Sequence, residues 1–186
     1  DDNYIWVATV WGLNRFNKTT GKNKRYYNDP GDSTSISSNR INIINKDGAG
    51  GIWIGTHEGL NFYNKENDRF IRIQKHERLA RDEIKSIQSD DEGNLWVAVS
   101  TGLVKLILQY NEKQIPVIEN AIYYNRNDGL QSYEFSERAA AIDEKGVLYF
   151  GGNKGVDYFN PENIKDQQEI PPVVLTSVKI FNNEFF

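Results

Sequence analysis

Seven side chains stand out as able to hold something polar: Trp11, Arg40, His57, Glu58, Arg138, Asn153 and Lys154. Trp11 offers an aromatic face in a turn, and an unrepeated Trp in a loop is a ligand candidate because loops on a rigid scaffold carry function. His57 and Glu58 are adjacent and could hydrogen-bond a polar ligand, or simply be solvated. A metal site needs three or four convergent ligands, and His76 is the only other histidine; neither a metal nor a cofactor is expected. Asp90-Asp91-Glu92-Gly93-Asn94 lacks the spaced ligands and terminal Glu of a calcium loop. Gly151-Gly152-Asn153-Lys154-Gly155 has strand-like sequence on both sides, where a phosphate loop needs a following helix. No pair among the 26 acidic residues is marked as two carboxylates facing one cleft, as a glycosidase requires. Asn17-Lys18-Thr19 fits a glycosylation sequon but reads as a turn. The chemistry on offer is binding, not catalysis.

The elements that must position these residues come in copies. Ile52-Trp53-Ile54-Gly55-Thr56-His57-Glu58-Gly59-Leu60 is one phrase, and related phrases occupy 5–13, 95–103 and 148–156. The aromatic, Trp6, Trp53, Trp96 or Tyr149, always lies six residues before the Gly that precedes Leu or Val. Successive aromatics are 47, 43 and 53 residues apart. A period of this length with strand-type alternation points to propeller blades rather than helical solenoids. Ile41–Asn45, Ile84–Gln88 and Ala139–Ile142 alternate ahead of an acidic-Gly turn, the chemistry of a tight hairpin. The phrase then gives two strands, and Lys24–Tyr27, Arg69–Ile73 and Ala121–Tyr124 fit a fourth. Four antiparallel strands make a blade.

This predicts an all-β chain of about four four-stranded units, incomplete at both ends. Only four residues precede Ile5, leaving no room for a first inner strand, and no outer strand is evident after Asn163. Residues 75–82 read as a possible helical turn. The repeated aromatics are expected in blade-to-blade packing. What varies is the turn after each of them: Val10-Trp11, His57-Glu58, Ser100-Thr101 and Asn153-Lys154. The residues entering the inner strands, Asn39-Arg40, Asp82-Glu83 and Glu137-Arg138, should surround the central channel at one face. They could hold a polar oligosaccharide or pair with one another.

The chain has 186 residues, 38% of them hydrophobic and 12% aromatic, with net charge -4. That is enough for one substantial core or two small ones, and the balance disfavours a nucleic-acid partner, which would need clustered Lys and Arg. No apolar run reaches the length of a membrane helix and no signal peptide is read, so no membrane contact is expected. There is no Cys, which removes disulfides and thiolate chemistry, and no Met. The chain therefore reads as a segment of a longer protein.

The phrase Ile-Trp-Ile-Gly-Thr-x-x-Gly-Leu, preceded by Asp-x-x-Gly, resembles the two-component regulator propeller repeat. Ser33–Ile41 is similar to the linker introducing such repeats. Asn127–Phe135, Leu148–Gly152 and Phe159-Asn160-Pro161 resemble the last repeat. Pro171–Phe181 resembles the first strand of the immunoglobulin-like Y_Y_Y domain. Departures are the third copy, with Val99-Ser100 and no Gly-Thr, and the fourth, with Tyr149 for Trp. The resemblance implies a propeller over 1–169, and a linker and first Ig-like strand over 170–186. It further implies the periplasmic sensor region of a hybrid two-component histidine kinase of the Bacteroides type, anchored in the inner membrane by the rest of its parent. Its partners would be an oligosaccharide ligand, and further blades or a second copy. A protein–protein or dimerisation propeller and a polysaccharide-active enzyme are the alternatives.

Overall fold

The computed structural model describes residues 3–74, 77–164 and two short paired strands, Lys179–Ile180 and Asn183–Glu184. Four antiparallel sheets follow one another along the chain. The first holds β1 (Tyr4–Thr9), β2 (Gly12–Asn17) and β3 (Asn23–Tyr26). The second holds β4 (Ile41–Lys46), β5 (Ile52–Thr56), β6 (Gly59–Asn64) and β7 (Arg69–Arg72). The third holds β8 (Ile84–Ser89), β9 (Leu95–Val99), β10 (Gly102–Tyr110) and β11 (Pro116–Tyr124). The fourth holds β12 (Phe135–Ile142), β13 (Leu148–Gly152) and β14 (Gly155–Phe159). Each sheet is ordered as the chain runs, so every unit is a meander. Among the described residues the first and fourth units have three strands and the middle units four; the stretch after Asn163 where a further outer strand would follow lies mostly outside them. A short helix, α1 (Glu77–Arg81), links the second and third sheets. The proposed Ig-like strand falls mostly on 165–178, outside the described residues, as does His76.

Sequence and structure agree on the phrase strands. Trp53 lies opposite Phe62, Trp96 opposite Lys105 and Tyr149 opposite Tyr158. Three apolar clusters fill the spaces between successive sheets. Ile54, Tyr63 and Phe70 meet Leu13 and Tyr26. Trp53 and Phe62 meet Leu95 and Val97. Trp96 and Leu103 meet Phe150 and Leu148. Trp53 and Trp96 are wholly buried, which is how stacked repeats cover faces that one unit cannot bury alone.

The hairpin acid does more than turn the chain. Asp47 Oδ2 accepts from Trp53 Nε1 at 2.6 Å, Asp90 Oδ2 from Trp96 Nε1 at 2.9 Å, and Asp143 Oδ2 from the Tyr149 hydroxyl at 2.9 Å. The other carboxylate oxygen accepts from the turn backbone at Gly51, Asn94 and Val147. One carboxylate thus closes the hairpin and satisfies the polar tip of the packed aromatic, whose indole or phenol would otherwise lose a hydrogen bond on burial. Tyr in place of Trp preserves the bond. Asp90 is fully engaged in this way, so the calcium-like stretch is a hairpin. Asn17 Oδ1 likewise accepts from the Thr19 and Thr20 amides, making the sequon stretch a turn.

Two expectations need correction. The inner strand of the fourth unit is not Ala139–Ile142 but begins at Phe135, whose ring is buried against Phe150. Glu137 and Arg138 therefore lie inside a strand rather than ahead of it. The outer strand of the third unit is likewise longer than Ala121–Tyr124, starting at Pro116.

Candidate functional site

Every described inner strand carries a register shift near its start. In β4 it falls between Ile41 and Ile43, in β8 between Ile84 and Ser86, and in β12 between Phe135 and Ala140. A bulge leaves its extra residue unpaired and re-aims the side chain. The extra residues here are Asn42, Lys85 and the stretch holding Glu137 and Arg138. The same inner strands pack on one another, β12 beside β8 and β4. The bulged residues and those just before them meet around this axis.

Arg40 Nη2 lies 2.8 Å from Glu137 Oε1 and 3.8 Å from Glu83 Oε1. Glu83 also receives Lys85 Nζ at 2.6 Å, His57 Nδ1 at 3.2 Å and Asn42 Nδ2 at 3.1 Å. Arg138 Nε donates to the Asn42 carbonyl at 2.9 Å. Burial opposes charge on Glu83, but hydrogen bonds from Lys85, His57 and Asn42 outweigh it and hold the carboxyl at about 2. Arg138 has φ 61, a left-handed conformation that costs a non-glycine residue energy and persists only where its surroundings impose it.

Of the seven residues singled out from the sequence, the structure brings three, Arg40, His57 and Arg138, into this cluster. Glu58 lies in the same turn as His57 but lines a separate shallow concavity with Arg72 and Arg81. Trp11 is 74% exposed at the tip of the β1–β2 turn, where its amide donates to Thr9 Oγ1 at 3.1 Å. Asn153 and Lys154 are exposed in the β13–β14 turn, and the Asn153 amide donates to the Glu134 carbonyl. Sequence reasoning named Glu83 and Glu137 as axial and missed Asn42 and Lys85, because a bulge leaves no mark in an alternating run. No group of three or more His, Cys, Asp or Glu among the described residues could hold a metal ion.

At the other ends of the strands lies a cleft of about 450 Å³, lined by Trp6, Phe62, Tyr63 and Tyr110 among others. Beside it Asp68 ties the first sheet to the second. It accepts from Arg15 at 3.1 Å, from Tyr26 and Tyr63 at 2.6 Å each, and from Lys24. Burial raises the Asp68 carboxyl, but bonds from Lys24, Tyr26 and Tyr63 win and bring it to about 2. Burial and the bond to Asp68 push Tyr63 up to about 12. Apart from the buried Arg15 Nε, which has no partner among the described residues, the donors and acceptors named here are used on one another, as expected of a joint between sheets.

Meandering four-stranded sheets packed face to face around their inner strands define a segment of a β-propeller. Residues 35–58 match the model of the family described as two component regulator propeller. Over 98% of its length the chain is 30% identical to histidine kinase P4 of Formosa agariphila, of which it spans 16%. It superimposes with a TM-score of 0.76, at 26% identity, on the extracellular domain of a hybrid two component system of B. thetaiotaomicron, covering 95% of this chain and 23% of that one. A second such domain from the same organism shares the fold, with a TM-score of 0.61 and 18% identity over 92% of this chain and 22% of that one. The chain is built of two-component regulator propeller repeats, and it spans a small part of each relative. No helix among the described residues is long and apolar enough to cross a membrane.

Proposed function

We propose that this chain is part of the periplasmic sensor region of a hybrid two-component histidine kinase. It binds a glycan-derived oligosaccharide at the axial face of the propeller and passes the signal to kinase and transcription-regulator parts elsewhere in the parent. The observation that carries the reading is the axial cluster. Arg40, Glu83, Glu137 and Arg138 meet where three inner strands bulge near their starts, in a chain similar to extracellular domains of hybrid two component systems. Forked donors beside carboxylates match the hydroxyl pairs of a sugar. The segment itself is read as non-catalytic. Trp11, Glu58, Asn153 and Lys154, on turns opening beside the inner strands, are candidates for the outer contacts of a longer ligand. Calorimetric titration with a panel of plant and host oligosaccharides tests this. Arg40→Ala should abolish the heat of any that bind, and Trp11→Ala should weaken the longer ones. Binding untouched by Arg40→Ala would remove the axial site, and turnover of a panel member would replace sensing with catalysis.

A second reading has its own observation. Ile5, Val7 and Phe16 on the first sheet, and Val156 and Tyr158 on the fourth, are exposed apolar side chains. These outward faces are suited to further blades or to a second copy of the chain. Light scattering decides between the two for the isolated chain: association predicts a mass above 21.4 kDa. The assignment of 1–169 to the propeller and 170–186 to an Ig-like domain belongs to the same proposal.

A further inference from the structure

The two carboxylates at the axis are not equivalent. Glu83 has four polar neighbours from three stretches of chain: Asn42, His57, Lys85 and, at longer range, Arg40. Its side chain is 16% exposed. Glu137 is 33% exposed and pairs with Arg40 alone among the described residues. Arg40 is itself 48% exposed. Arg138, the next residue along, uses only Nε, on the Asn42 carbonyl. The rest of its guanidinium fork makes no bond to the described residues. The site therefore holds two guanidinium groups, one exposed carboxylate that shares just one of them, and a second carboxylate already satisfied.

We infer that Glu137 occupies the place of a ligand oxyanion: the ligand carries a carboxylate or a sulfate ester, which takes Arg40 from Glu137 and takes the open fork of Arg138 as its second partner. This rests on the axial reading above and adds the charge class of the ligand. An exposed ion pair contributes little in water and is easily exchanged. An oxyanion held by two forks gains charge-assisted, geometrically matched bonds that a single Arg–Glu contact does not provide. Displacement also has a structural consequence. Arg40 enters the second sheet and Glu137 lies in the fourth, 97 residues on. Their ion pair spans the axis, so releasing it couples ligand binding to the spacing of the sheets.

The test is calorimetric titration of the 186-residue chain with three probes: digalacturonate for the carboxylate, glucose 6-sulfate for the sulfate ester, and digalactose as the neutral control. Glu137→Gln removes the internal competitor and should tighten binding of the matching acidic probe by roughly tenfold. Arg138→Gln should weaken the same probe by about as much, and digalactose should respond to neither change. Thermal melting of each variant shows that the fold is kept, and Glu137→Asp, which retains the charge on a shorter stem, should give an intermediate affinity. Unchanged or weaker acid binding in a folded Glu137→Gln protein overturns the inference, as does the absence of acid binding in every variant. If instead a neutral oligosaccharide binds, is lost in Arg40→Ala and ignores Glu137→Gln, the axial site stands and only its charge class falls.

Discussion

Trp53 and Tyr149 hold the same place in the same phrase, each donating to an acid six residues earlier, yet they live in different surroundings. Trp53 is wholly buried because the third sheet covers the face it occupies. Tyr149 is half-buried, stacked on Tyr158 of its own sheet at 6.0 Å, and Tyr158 is 70% exposed. The local code is the same, and the neighbour is what differs. A propeller phrase specifies a strand pair and its hairpin by itself. The free energy of the aromatic comes from the next unit, which is the physics of any stacked repeat.

The sharpest break of this comparison is truncation of the aromatic. Trp96→Ala should cost about 3–5 kcal/mol, the usual range for a buried ring, whereas Tyr149→Ala should cost far less, because its ring is only half-buried. Urea unfolding of the two variants measures both, and equal losses would mean that the phrase, not the neighbour, sets the energy. Next come the phrase glycines. Gly59 has φ 100 and Gly155 has φ 114, but a Cβ on Gly59 would lie 2.8 Å from the Leu79 and Ala80 carbonyl oxygens, while one on Gly155 meets nothing within 4 Å. Gly155→Ala should cost about 1–2 kcal/mol for left-handed backbone alone. Gly59→Ala should add the cost of moving α1, for about 2–4 kcal/mol in all.

The acids give a smaller contrast. Asp47 is buried and serves Trp53, Gly51 and Tyr110 together. Asp47→Asn should destabilise by about 1–3 kcal/mol, since a buried donor loses its partner. Asp143→Asn, at an exposed turn, should leave the unfolding midpoint nearly unchanged. The last contrast is the pH response of the two joints. Glu83 and Asp68 both titrate near 2 in the folded chain, below ordinary values of 4.5 and 3.8. A depressed carboxyl stabilises above its unfolded value and loses that contribution as pH falls through the folded one. Denaturation midpoints should therefore decline between about pH 4.5 and 2. Glu83→Gln should flatten part of that slope, and an unchanged slope would show that the axial bonds carry no linkage.

Much of this was legible because it is local. Alternation, the Gly before Leu or Val and the acidic turn each report on a few adjacent residues. The bond from acid to aromatic could also have been read, since Asp47–Trp53, Asp90–Trp96 and Asp143–Tyr149 share one spacing. One departure from the phrase, Ala98 in place of Gly, is explained by packing. Gly55 sits where a Cβ would meet Ile84 Cγ2 at 2.5 Å and Ile43 Cγ2 at 2.6 Å, whereas Ala98 fills the matching place beside Ser86 of the third sheet. The site was only half legible. Arg40, Glu83, Glu137 and Arg138 are legible as axial, but Phe135 falls outside the alternating run at Ala139–Ile142 because the bulge breaks the alternation of β12.

The amino-acid sequence by itself determined the repeated strand pairs and their hairpins, because strand period and turn chemistry are properties of a few consecutive residues. The tertiary structure decided which charged residues meet. Arg40 and Glu137 come together only when three sheets stack and their inner strands bulge toward a common axis, and neither condition is written in the neighbourhood of either residue.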